Sequence, residues 1–159
     1  QDELRESRRG LDMIGVTVET HNPLDLVIIM LGTNDCKNRY GASASIIAKG
    51  LDQVIRKACL NASQHFDLLV ISPIHLGHGV EEPDFDPEFD EKSESVSRNL
   101  ANEYRKVALQ NHAAFLNAAD YALPSVTDRE HLDENGHAAL ADAIYDKIIA
   151  LQKGLSNVI

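Results

Sequence analysis

The chain has 159 residues, 43% of them hydrophobic and 25% charged, with a formal net charge of −10 from 15 basic and 25 acidic side chains. That length suits a single domain over 1–159, and that balance excludes a disordered segment. The acidic surplus argues against a nucleic-acid partner, because phosphate backbones are repelled and the only local basic cluster is RESRR at 5–9.

No stretch reaches the ~18 apolar residues of a spanning helix, so no membrane insertion is expected. The cysteines, Cys36 and Cys59, form no C-x-x-C pair and no metal spacing. Two free thiols fit a reducing compartment, which gives a cytoplasmic expectation. The opening QDELRESRRG has no initiator methionine and reads as the interior of a longer polypeptide.

The elements follow in the order helix, strand, helix, strand, helix, strand, helix. The first strand is LDLVIIML at 24–31 and the second is FDLLVIS at 66–72. Both are continuous apolar runs rather than alternating ones, the pattern of a parallel strand buried on both faces. AAFLNAA at 113–119 is a shorter third strand. Between them, Ile47, Leu51, Val54, Ile55 and Ala58 share a helical face, as do Val96, Leu100, Tyr104 and Val107. Leu140, Ile144, Ile148 and Leu151 repeat the spacing in a last helix. Right-handed crossovers would place helices on both sides of the sheet, a layered α/β domain. The acidic stretch GHGVEEPDFDPEFDEKSE at 77–94 is a long loop after the second strand. Its position suits a part of the site or a flexible insertion, and the sequence leaves both open.

Ligands of open parallel sheets bind at the carboxyl ends of the strands. Gly32–Asp35, GTND, falls there. Gly32 permits a tight turn and close approach, and Asn34 offers a neutral amide donor suited to an oxyanion. Ordinary turn chemistry explains the same four residues. Further on, Asp128 and His131 stand three apart in DREHLDENGH. A turn at that spacing can bring the carboxylate to one imidazole nitrogen and leave the other as a general base. A salt bridge at a helix start is the other account. Asp133 is placed to cap the last helix, and His137 reads as structural.

DLVIIMLGTND followed by DREHLDENGHAALADAI resembles the SGNH (GDSL-like) hydrolase family, over about 10–151. The resemblance implies a three-layer α/β/α, flavodoxin-like parallel sheet. It implies Asn34 as the oxyanion donor with Gly32 shaping its turn, His131 as general base and Asp128 as the partner that orients it. The implied reaction is hydrolysis of small soluble carboxylic esters or acetylated sugars through an acyl-serine, with no metal and no cofactor.

One departure matters. The G-D-S motif that carries the family's nucleophile is absent, and no serine lies in a G-x-S-x-G setting either. Ser72, at the end of the second strand, has nothing else to mark it as a nucleophile. The expectation is that the nucleophile lies outside this chain, and that about two β-α units of thirty or more residues each are missing from the N-terminal side. The chain alone would then be inactive. The family's strand order, 2-1-3-4-5, would leave strand 24–31 as an exposed edge, inviting self-association or a complementing N-terminal segment. Other readings are a non-catalytic binding module of flavodoxin-like fold and a glycosidase using Asp35 and Asp128. The second would leave Asn34 and His131 without roles.

Overall fold

The computed structural model describes residues 9–154. Among these, three strands form one parallel sheet: β1 (Leu26–Met30), β2 (Asp67–Ser72) and β3 (Ala114–Asn117), in the order β1-β2-β3. The helices are α1 (Gly10–His21), α2 (Ala44–Asn61), α3 (Glu91–Gln110) and α4 (Glu134–Gln152). The strands are shorter than the apolar runs that announce them. Leu24, Asp25 and Leu31 flank β1, and 118–120 turn into a short 3-10 segment after β3.

The register sets the layers. Leu26 pairs with Asp67 and Met30 with Ile71, while Leu69 pairs with Ala114 and Ser72 with Asn117. Successive strand residues point to opposite faces. Ile29, Leu68, Val70 and Phe115 therefore meet α1, α2 and α3, through Val18, Ile55, Ala58, Leu100 and Tyr104. Leu69, Ile71 and Leu116 meet α4 through Leu140 and Ala143 on the other side. The result is the three-layer α/β/α arrangement expected of unalternating strands. β2, in the middle, has five consecutive buried residues.

β1 is an edge, with β2 as its one sheet neighbour among the described residues. The α4 layer does not reach across it: Ile28 is 41% and Met30 45% exposed on that face.

Local chemistry fixes the helix starts. Asp133 accepts from the Gly136 amide at 2.7 Å and caps α4. Asp90 and Ser93 form a reciprocal capping box that starts α3, with Ser93 N–H to Asp90 at 2.8 Å and Asp90 N–H to Ser93 Oγ at 3.0 Å.

Candidate active site

At the end of β1 the chain must leave the sheet under α3. Gly32 does this with φ 128°, a conformation that side chains disfavour. Tyr104 of α3, only 1% exposed, donates its hydroxyl to the Leu31 carbonyl at 2.9 Å. A Cβ on Gly32 would lie 2.3 Å from that hydroxyl oxygen. Backbone geometry and packing thus independently require glycine. Thr33–Cys36 then closes a 3-10 turn, with Asp35 N–H to Gly32 O at 3.0 Å and Lys37 N–H to Asn34 O at 3.3 Å. Asn34 is exposed on this turn, and it lines a cavity of about 350 Å³ together with Gly32, Thr33, Asp35 and Tyr104.

The second turn precedes α4. Asp128 Oδ2 lies 2.8 Å from His131 Nδ1. Its other oxygen, Oδ1, accepts from the Ser125 hydroxyl at 2.9 Å, the Glu130 amide at 3.0 Å and the His131 amide at 2.9 Å. Burial raises the Asp128 carboxyl, but these donors outweigh it and hold the group well below the usual carboxylate range. A carboxylate ionised at neutral pH beside Nδ1 favours the tautomer whose Nε2 lone pair is free. His131 is itself exposed. The loop closes on itself through Ser125 N–H to His131 O at 2.7 Å and Arg129 N–H to Ser125 O at 2.9 Å.

Gly32 and Asn34 thus share one turn, and Asp128 and His131 share another. His131 does not line the cavity beside Asn34. What stands between the two turns is the acidic segment, which is folded. Lys37, one residue past the Asn34 turn and 5% exposed, pairs with Glu88 and lies 3.6 Å from Asp86. Asn38 N–H donates to Glu88 O at 2.8 Å. Glu130 faces Lys37 and Asp86 from the other turn. Burial is the first cause raising its carboxyl, opposed by His131 and Lys37. Val80 and Phe89 of the segment are buried in the core. A high proportion of acids and prolines concealed these anchors. The visible signals were a lysine directly after GTNDC and an arginine between the acid and the histidine.

Two residues singled out in the sequence are bystanders. Ser72 is 1% exposed with an unpartnered hydroxyl, so it cannot be approached by substrate. His137 sits exposed on the first turns of α4. Cys36 is buried, and burial, with Asp35 adding to it, pushes its thiol up to about 12, which makes it inert. Among the described residues no group of His, Cys, Asp and Glu is arranged to hold a metal ion. No described helix is long and apolar enough to cross a membrane.

The layered α/β fold thus carries an exposed side-chain amide on a turn after a parallel strand, and a carboxylate-bound histidine before the last helix. The sequence model of the GDSL-like lipase/acylhydrolase family matches residues 4–139, and the chain belongs to that family. Solved structures agree. The chain is 28% identical to Est24, a carbohydrate acetylesterase from Sinorhizobium meliloti, over 94% of this chain and 72% of that one, with a TM-score of 0.82. It is 27% identical to an aryl esterase of M. smegmatis, over 95% of this chain and 72% of that one, with a TM-score of 0.85. A third structure matches at 32% identity and TM-score 0.83, and there the chain spans 66% of the other's length. No curated protein matches the chain.

Proposed function

We propose that this chain carries the base and oxyanion half of an SGNH-type carboxylester hydrolase. The single observation behind this is the 2.8 Å contact from His131 Nδ1 to an Asp128 carboxylate that three further donors hold ionised. In this reading His131 Nε2 takes the proton of a serine hydroxyl as the oxygen attacks the ester carbonyl. Asn34 donates to the oxyanion that forms, and Asp128 stabilises the imidazolium. His131 then returns the proton to the leaving alkoxide, and a second cycle with water releases the acid. No metal or organic cofactor enters. Small soluble esters and acetylated sugars are the proposed substrates, a choice supported by the net charge of −10 and by the esterases and acetylesterases among the similar structures.

The nucleophile is the open element. No G-D-S occurs in the sequence. Ser72 is buried, and the Ser125 hydroxyl donates to Asp128. The reading therefore has this chain inactive alone and active once a G-D-S segment is joined or added in trans. Incubation with p-nitrophenyl acetate and with a serine-selective phosphonate tests it. Neither turnover nor label is expected for the chain alone, and both are expected for the completed form. Phosphonate on any serine of this chain would contradict the assignment.

The absence of that motif favours one second reading, a binding module of the same fold that does no chemistry. A completed, folded form that still hydrolyses no ester would favour it.

We also propose that the edge of β1 pairs with a second copy of this chain. Among the described residues its outer side has no strand partner, and Ile28 and Met30 are exposed on the same strand, which supports this. A complementing N-terminal segment would occupy the same edge.

A further inference from the structure

Arg129 lies between the acid and the base in the chain, and both its backbone and its side chain bind the acidic loop. Its φ of 60° is left-handed, unusual for a residue with a long side chain. The conformation turns its carbonyl and its guanidinium toward the same segment, the acidic loop after β2. The carbonyl accepts from the Gly77 amide at 2.7 Å. Nη1 donates to the Gly79 carbonyl at 2.9 Å and pairs with Glu82 Oε1 at 3.1 Å. The guanidinium carbon sits 3.9 Å from the centre of the Phe85 ring. The loop is shaped to receive it. A Cβ on Gly77 would come 2.8 Å from Arg129 Cβ, and a Cβ on Gly79 would come 2.3 Å from Nη1. The far end of the same loop is fastened to the Asn34 turn by buried Lys37 through Asp86 and Glu88.

We infer that Arg129 is a positioning residue: it clamps the Asp128–His131 turn to the acidic loop, and so holds the imidazole on its carboxylate and the base at a fixed place relative to Asn34. This inference rests on the reading of Asp128 and His131 as partner and base. The strain at φ 60° is offset by four separate contacts to one loop, and backbone strain persists where surroundings over-determine it. Arg129 touches no reacting atom. Its effect reaches the chemistry through the turn that it closes on both sides.

The test needs no turnover and uses this chain. Imidazole nitrogen-15 shifts of His131 report which ring nitrogen carries the proton in the neutral form. In the unaltered chain the Nδ1–H tautomer should dominate. Asp128→Asn should lower the Nδ1–H to Nε2–H ratio roughly tenfold, the scale of one hydrogen bond to a charged group. Arg129→Met should produce most of that fall with the carboxylate still present, and Arg129→Lys should restore part of it. Should Arg129→Met fail to fold, Phe85→Leu and Gly79→Ala disturb the same seat without changing Arg129, and each should lower the ratio. An unchanged ratio in a folded Arg129→Met, or in both substitute variants, overturns the inference. An unchanged ratio in Asp128→Asn instead overturns the reading of the pair, and this inference with it.

Discussion

At the scale of single residues, the two candidate turns depend on groups whose roles can be separated. Asp128 is ionised in the folded chain below the pH at which an unfolded carboxyl would be protonated. Its contribution to stability is therefore present in full above the ordinary carboxylate pKa and is lost as pH falls through the depressed folded value. Asp128→Ala should cost about 1–2 kcal/mol at neutral pH, allowing for solvent screening of a partly exposed group, and the gap to the unaltered chain should close in acid. Denaturant melts at several pH values check this, and a gap that persists in acid contradicts it. Gly32→Ala should cost about 2–4 kcal/mol, because a positive φ and the Tyr104 hydroxyl both oppose a methyl there. Tyr104→Phe leaves the Leu31 carbonyl without its donor and should cost about 1 kcal/mol. If Tyr104→Phe also rescued Gly32→Ala, the clash would be the larger of the two causes. Cys36 should resist a thiol reagent at neutral pH while exposed Cys59 reacts.

At the scale of elements, the strands and helices were legible because their burial is periodic. Unalternating runs announced a sheet covered on both faces, and steps of three and four marked the buried faces of α2 and α3. The turn that carries Asn34 and the Asp128–His131 contact were legible too, since short-range sequence dictates both. The acidic loop was not. Its sequence shows charge and proline, whereas its order comes from partners far away along the chain: Lys37 and Arg39 against Glu88, and Arg129 against Gly79 and Phe85. Long-range pairings of that kind leave no periodicity to read. Removing the buried cation should therefore damage the loop. Lys37→Met leaves Asp86 and Glu130 facing each other without it, while Glu88 keeps its pairing with Arg39, and should cost about 3 kcal/mol. Proteolysis should then cut between 77 and 90 much faster than in the unaltered chain. Equal cutting would show that the loop does not need Lys37.

At the scale of the whole molecule, the sheet ends, among the described residues, on the apolar strand β1, and no G-D-S occurs in the sequence. The proposed pairing through β1 predicts a dimer or larger species in sedimentation velocity, shifting with concentration. A stable, well-folded monomer at all concentrations would contradict it. Two serines near the candidate chemistry are already engaged: Ser72 is sealed in the core, and the Ser125 hydroxyl donates to Asp128. Asn34 and His131 are proposed here as the oxyanion donor and the base of an ester hydrolase. The most direct measurement is p-nitrophenyl acetate turnover by a form completed with a G-D-S segment. Asn34→Ala should lower kcat by ~10²–10³ with KM little changed, and His131→Ala should lower it further. A folded Asn34→Ala enzyme that keeps its kcat would contradict the account.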